Sequence, residues 1–230
     1  MKERPRVITI DGPAGSGKTT VARMLARHLG YGLLESGTLY RALTWLLVTQ
    51  DPEALSGGDP SRMLRSIQEH LPRFSFELGS EGLRISFGSR RLQEELRLPE
   101  VERRVSAVAA IPEVRNLVND ILKRLAGKGP VVAEGRDMGS VVFPEAPYKF
   151  FLSASPEVRA RRRYLEWRAK GISVSEEEVL RDIKARDERD SSRSTAPLSI
   201  PEGARVIDTS QLSPQEVLRV ILRELFSSHP

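Results

Sequence analysis

No cysteine occurs in the sequence, which excludes disulfides and cysteine–zinc sites. No apolar run is long enough to span a bilayer, and the opening residues MKERPRV hold no hydrophobic signal region. A cytoplasmic location is therefore expected, with no membrane partner. An internal repeat and a low-complexity tail are also missing, so 230 residues are read as one large domain or a core with an insertion. There is no Asn-Lys-x-Asp guanine motif, as a switch GTPase would show. No aromatic RNA-binding motif or helix-turn-helix pattern stands out.

What the chain does have is arginine. Its net charge is +5 and its pI near 9.7, values that invite a nucleic-acid reading. The basic residues are overwhelmingly arginine, however, whose planar fork grips phosphate in two bonds. A small phosphate ligand is favoured over nucleic acid, and a monomer is expected.

The strongest motif is Gly12-Pro13-Ala14-Gly15-Ser16-Gly17-Lys18-Thr19, a complete Walker A loop. A β-branched run, Val7-Ile8-Thr9-Ile10-Asp11, precedes it, and Thr20 to Leu29 follows with helical apolar spacing closed by Gly30. A strand, a glycine loop and a helix in that order make a phosphate cradle. Glycine lets backbone N–H groups converge on phosphate oxygens, and the helix start adds a positive dipole end. Lys18 is placed to reach the β- and γ-phosphates, and the Thr19 hydroxyl to sit on Mg2+.

Further strands are read at Leu33–Leu34, Gly129–Ala133, Tyr148–Leu152 and Arg205–Asp208. Helices are read at Leu39–Val48, Glu113–Leu125, Pro156–Lys170, Ser175–Glu188 and Pro214–Phe226. The alternation predicts an α/β fold, a P-loop-type parallel sheet flanked by helices. Residues 51–105 break it. Asp51–Ser61 reads as turn, Ser61–Leu71 as helix, and Phe74–Leu78 and Leu83–Phe87 as strands around a glycine turn, with a third short strand at Gly88–Leu92. A small antiparallel sheet inserted at an active-site rim is expected.

Three segments carry more chemistry. Glu35-Ser36-Gly37-Thr38-Leu39-Tyr40-Arg41 lies at the end of the second strand, where ligands of parallel sheets collect. Alone, Ser36 could be a helix cap and Arg41 a solvated residue. Glu134-Gly135-Arg136-Asp137 follows the third strand, and alone could be a turn with a local ion pair. Arg159, Arg162 and Arg163 share a helical face by their spacing, and another arginine-rich run spans Arg186 to Arg193. Guanidiniums crowded on one face repel unless an anion joins them. That face is a candidate phosphate clamp or, alone, a solvated charged face.

IDGPAGSGKTT, LLESGTLYRAL, VVAEGRDMGSVVFPEAPYKFFLSASPEVRARRRYLE and ARDERDSSRSTAPL together resemble the bacterial cytidylate kinases, over nearly the whole chain. The Walker loop is shared by many families; the EGRDMGSVVFPEA and RDERDSSR segments are far more specific. The resemblance implies a P-loop nucleoside monophosphate kinase, transferring the γ-phosphoryl of ATP to CMP or dCMP with Mg2+, in pyrimidine nucleotide metabolism. It implies that residues 51–105 are the monophosphate-binding insertion and 155–172 the lid.

It further implies that Gly12 to Thr20 hold ATP phosphates. Ser36, Tyr40 and Arg41 then contact the acceptor, with Arg41 and Arg136 on its phosphate. Ser106 and Arg115 read cytosine with help from Asp137. Arg186 and Asp190 touch the sugar, and Arg193 lies beside the acceptor. Arg159, Arg162 and Arg163 close over the transferring group and, with Lys18 and Arg136, make up the catalytic set. Glu35 and Glu134 stand where family members often have Asp, each moving its charge by one methylene. A same-fold kinase for adenylate, thymidylate, shikimate or gluconate is the nearest alternative; the Ser106–Arg115 pair and the inserted sheet speak against it. A nucleic-acid-stimulated ATPase is the alternative from another class.

Overall fold

A computed structural model describes residues 6–169, 171–192 and 196–226. Its centre is a five-stranded parallel sheet: β1 (Val7–Asp11), β2 (Gly32–Glu35), β6 (Val131–Gly135), β7 (Tyr148–Ser153) and β8 (Arg205–Asp208), in the order β2-β6-β1-β7-β8. The strands are short and nearly all apolar because both faces are covered. Neighbouring residues split between the faces, as the pleat demands. Leu33 and Val132 join Ile8, Ile10, Phe150 and Leu152 beneath α1 (Lys18–Leu29) and α9 (Pro214–Phe226). Leu34, Val131 and Ala133 face the opposite core, with α2 (Ser36–Gln50), α5 (Pro99–Val108) and α6 (Pro112–Ala126). The expected fold class is observed, and all five expected strands are present. β6 starts and ends two residues later than expected, so Glu134 and Gly135 belong to the strand.

Between α2 and α5 lie α3 (Pro52–Gly57), α4 (Pro60–His70) and an antiparallel sheet of β3 (Phe74–Gly79), β4 (Gly82–Phe87) and β5 (Arg90–Leu92). The turn-rich reading of Asp51–Ser61 is corrected here. Asp51 accepts from the Ala54 N–H and Asp59 from the Ser61 N–H, and proline follows each at the first helical position. Two capped helix starts in succession look like turn chemistry in a sequence. α5 was also absent from the expected elements, although Val101, Val105 and Val108 carry its buried stripe. Phe87 meets Trp45 of α2 edge-on at 5.5 Å between ring centres, so the small sheet packs into the main core.

The β3–β4 turn also touches the P-loop helix. Arg27 pairs with the Glu81 carboxylate; Arg23 donates to the Glu81 carbonyl at 3.1 Å and to Glu35 Oε1 at 3.1 Å. Leu78 lies where a Gly32 Cβ would be, at 2.5 Å, so the strand must be bare there. Glu35 sits beside Glu134 in the β2–β6 register. Burial and that neighbouring carboxylate outweigh Arg23, Arg41 and Arg97, and push the Glu35 carboxyl up to about 7.

The last helical layer is α7 (Pro156–Ala169) with α8 (Glu176–Ser191), joined over Ala160, Val179 and Ile183. α8 opens on a capping box between Ser175 and Glu178 and runs three residues beyond the expected end, so Asp190 is helical along with Arg186 and Asp187.

Two outcomes follow for stability. Gly12 has φ +144°, and a Cβ there would lie 2.1 Å from the Leu152 carbonyl oxygen. Gly12→Ala is expected to lower stability by about 3 kcal/mol or more, from strain and the clash together; an unchanged melting temperature contradicts this. For Glu35, the folded state keeps a proton between pH 4.5 and about 7 that the unfolded chain has lost, so stability falls as pH rises through that window. Glu35→Gln is expected to gain on the parent chain across it, by on the order of 2 kcal/mol. Paired melts from pH 4 to 8 check this, and a pH-independent difference refutes it.

Candidate active site

The Walker loop leaves β1 at the carboxyl edge of the sheet, where a parallel sheet places its ligands. Gly15 and Gly17 have φ of +79° and +90°, a region costly for other residues, and Gly17 precedes the first turn of α1. That turn leaves N–H groups without helical acceptors and facing outward, as phosphate oxygens require. Lys18 is buried, with Nζ donating to the Pro13 carbonyl at 2.8 Å. Burial, then the charge of Arg136, push its ammonium well below its ordinary value. The Ser16 hydroxyl also donates to Pro13, at 3.0 Å. Thr19 Oγ1 donates to Glu134 Oε2 at 3.0 Å.

This donor set fits a nucleotide-bound Mg2+. A hydroxyl beside a carboxylate, with phosphates and waters completing the shell, is how magnesium is commonly held. No group of three or more His, Asp or Glu side chains forms a cage for a metal among the described residues.

One cleft of about 190 Å³ gathers most of the expected positions. Ala14, Gly15, Lys18 and Thr19 line one part; Ser36, Tyr40, Arg41, Ser106, Arg115, Arg136, Asp137, Arg163, Arg186 and Asp190 are among the residues that line the remainder, with Glu134. Gly12, Pro13, Ser16, Gly17 and Thr20 lie in or just after the loop without lining it. Arg193 lies outside the described residues.

The alternatives for the second and third motifs are resolved by partners. Ser36 is no cap: its hydroxyl donates across strands to the Glu134 carbonyl at 3.3 Å. Arg136 and Asp137 do not pair with each other. Arg136 Nε donates to Asp190 at 2.9 Å and Nη1 to the Gly12 carbonyl at 3.0 Å. Asp137 turns the other way, onto Arg115, and both side chains are only 3% exposed. Arg115 Nη1 also donates to the Ala109 carbonyl at 3.0 Å, and its guanidinium stands 5.6 Å from the Tyr40 ring centre. Its Nε is buried without a partner, on a side chain that lines the same cleft as Ser106. Such an atom is costly unless a ligand meets it.

Beneath them, buried Asp11 accepts from the Met138 and Gly139 N–H groups at 2.8 and 2.7 Å. This holds the one turn of π-helix at Met138–Val142 that aims Arg136 and Asp137. Burial pushes the Asp11 carboxyl up to about 6.

The arginines of α7 do not share a free face. Arg159 is buried, paired with Asp187 of α8 at 2.6 Å and donating to the Ala14 carbonyl at 3.1 Å. Arg162 holds Thr209 instead, with Nη1 3.1 Å from its hydroxyl and Nη2 2.5 Å from its carbonyl. Only Arg163 lines the cleft. The spacing rule gives positions on a helix, and the facing elements decide the partners. Asp187 and Thr209 were missed as supports; Asp187 stood in the RDERD run, whereas nothing local marks Thr209.

Arg41, Arg136, Arg163 and Arg186 thus converge on one cleft. Arg186 Nε is buried without a partner, and burial with Arg136 and Arg41 pushes its guanidinium down to about 10. Glu102 partly offsets this charge. Cations gathered at such cost suit an anion with several oxygens.

Relatives agree with that chemistry. The cytidylate kinase family profile matches residues 8–227. A cytidylate kinase of Caldanaerobacter subterraneus subsp. tengcongensis is 43% identical over 211 residues, covering 92% of this chain and 90% of that protein. Another, of Carboxydothermus hydrogenoformans, is 43% identical over 215 residues, 94% of this chain and 95% of that one. The crystal structure of a shikimate kinase from Bacteroides thetaiotaomicron shares the fold, with TM-score 0.50 over 96% of this chain and 98% of that one at 14% identity. Matched across nearly its whole length in this way, the chain belongs to the cytidylate kinase family.

Proposed function

We propose that the chain phosphorylates CMP and dCMP with ATP, yielding CDP and dCDP. The observation that carries this is a single cleft with a phosphate loop on one wall and the buried Arg115–Asp137 pair, beside Ser106, on the other. Arg115 and Ser106 offer hydrogen bonds of the kind the carbonyl and ring nitrogen of cytosine need. Asp137 fixes the Arg115 fork and serves base recognition rather than proton transfer. Arg41 and Arg136 take the acceptor phosphate, Ser36 and Tyr40 bound its site, and Arg186, Asp190 and Arg193 complete the acceptor side.

The attacking group is a phosphate oxygen that is already anionic, so no strong general base is needed. That oxygen forms a bond to the γ-phosphorus as the bond to the ADP oxygen breaks, with no covalent enzyme intermediate. The transition state is loose and spreads negative charge over equatorial oxygens. The protein must align both phosphates and neutralise that charge. Lys18 leaves the Pro13 carbonyl for the β- and γ-phosphates, whose charge restores the ammonium that burial disfavours. Thr19, with Glu134 behind it, would hold Mg2+, which would supply neutralisation of phosphate charge.

The cleft is smaller than the roughly 300–1,000 Å³ of common ligand pockets, so it must widen for two nucleotides. The insertion at 51–105 and the lid at 155–172 provide that movement, the lid travelling with α8 because Arg159 and Asp187 join them. Closure keeps water from the γ-phosphate. A coupled assay offering CMP, dCMP, UMP and AMP with ATP tests the reading: CMP and dCMP are expected to turn over fastest, and preference for AMP overturns it.

Two substitutions separate transfer from recognition. Lys18→Ala is expected to lose transition-state stabilisation of about 3–4 kcal/mol, with unchanged circular dichroism. More than about a tenth of normal turnover at saturating ATP contradicts this, since a tenfold loss is only about 1.4 kcal/mol. Arg115→Met is expected to weaken CMP far more than ATP, because it leaves cytosine and Asp137 unpaired. Calorimetry showing equal losses for both nucleotides refutes the assignment.

A further inference from the structure

Arg41 is anchored from outside the cleft. Its Nε donates to Glu102 Oε1 at 2.7 Å. Glu102 stands on α5 one turn before Ser106, and does not line the cleft that Arg41 lines. Among the described residues, neither Nη1 nor Nη2 of Arg41 donates to a protein acceptor. One edge of the guanidinium is therefore tied to a carboxylate, while Arg41 itself lines the cleft on which Arg136, Arg163 and Arg186 converge.

We propose that Glu102 is a positioning residue for the acceptor phosphate, acting through Arg41. A carboxylate on Nε fixes the plane of the guanidinium and leaves its two-nitrogen edge for bidentate contact with phosphate oxygens. Without it, a long side chain among three like charges swings away from them and loses rotamer order. Glu102 leaves the Nη edge to the phosphate, because it engages Nε and does not line the cleft. Its ionisation is secure: burial pushes its carboxyl up, but Arg41, Arg163 and Arg186 together hold it below its ordinary value.

The placement has a second consequence. α5 carries both Glu102 and Ser106, and it packs on α2, which carries Ser36, Tyr40 and Arg41. One helix thus sets the acceptor phosphate contact and faces the base contact, four residues apart on the same side. The distance between the two ends of the acceptor is built into a rigid element rather than a loop.

This inference rests on the reading of Arg41 as an acceptor-phosphate residue. Its test is steady-state kinetics with ATP and CMP for the unmodified chain, Glu102→Ala, Glu102→Gln, Arg41→Ala and the Arg41→Ala/Glu102→Ala double variant. Glu102→Ala is expected to raise KM for CMP on the order of tenfold, the scale of a lost charge-assisted contact, with KM for ATP unchanged. Glu102→Gln, which keeps the acceptor oxygen, is expected to lose less. In the Arg41→Ala background Glu102→Ala is expected to add nothing, since nothing is left to position.

Equal effects of Glu102→Ala in both backgrounds, or equal rises in KM for CMP and ATP, overturn the assignment while leaving CMP turnover intact. An Arg41→Ala variant with normal KM for CMP overturns it through Arg41. Absence of CMP turnover by the unmodified chain overturns the functional reading and this inference with it.

Discussion

Buried positive charge is the constraint around which the cleft is organised. Lys18, Arg136 and Arg186 each sit where burial disfavours their charged form, and each repels the others. The carboxylates that offset this charge stand partly in the cleft, as Glu134 and Asp190 do, and partly outside it, as Asp11, Asp187 and Glu102 do. Asp190 takes Arg136, Asp187 takes Arg159 and Glu102 takes Arg41, while donors such as Arg186 Nε stay open. Removing a charge from water costs several kcal/mol unless it is well paired. A folded chain that leaves such charges under-paired gives up stability for a site already arranged for anions. Pre-organised charge needs no rearrangement when phosphate negative charge is redistributed during transfer, which is where such a site gains most.

The same contacts join the site's parts. Arg136 donates to the Gly12 carbonyl, so an arginine that lines the cleft touches the first residue of the Walker loop. Arg159 donates to the Ala14 carbonyl, and a Gly15 Cβ would come within 3.1 Å of its own Cβ. Thr209 donates to the Ser16 carbonyl and receives Arg162. Three arginines therefore sense the loop's backbone or its direct neighbour. A shift of α7 reaches the loop without passing through solvent. This corrects the picture of three mutually repelling, hydrated guanidiniums: Arg159 and Arg162 are already held by Asp187 and Thr209, and of the three Arg163 is the one that lines the cleft.

The loop, the strand before it and the helix after it were legible because each is a local pattern, complete within about twenty residues. The parallel sheet was legible for the same reason, as apolar runs spaced by helices. Ser36, Arg136 and Asp137 could be found because sheet edges gather ligands, yet their partners could not. Asp137 and Arg115 are 22 residues apart, Arg136 and Asp190 are 54 apart, and only the packed fold brings them together. Local chemistry also misled. Asp51 and Asp59 cap helices but read as turn residues, and the stripe of Val101, Val105 and Val108 was hidden inside a segment read as an insertion rim. Glu102 went unseen with that helix.

Glu35 and Glu134 show how the length of a glutamate side chain is used. Paired in register on β2 and β6, two like charges at that spacing oppose each other, and burial adds to the cost. Their longer arms turn to different partners. Glu134 meets the Thr19 hydroxyl inside the donor site, whereas Glu35 meets Arg23 and comes within reach of Gly82 in the β3–β4 turn, where a Cβ would lie 2.6 Å from its Oε2. Gly82 must lack a side chain for that approach, and its φ of +132° suits only glycine. Glu35 thereby becomes a fastening between the P-loop helix and the small sheet, and Glu134 is left as the carboxylate touching the Thr19 hydroxyl. The shorter side chain of aspartate would draw both charges back toward the strand ends. The length of glutamate thus lets two carboxylates at adjacent positions of one sheet serve different neighbours, Arg23 beside the small sheet and Thr19 in the first turn after the Walker loop.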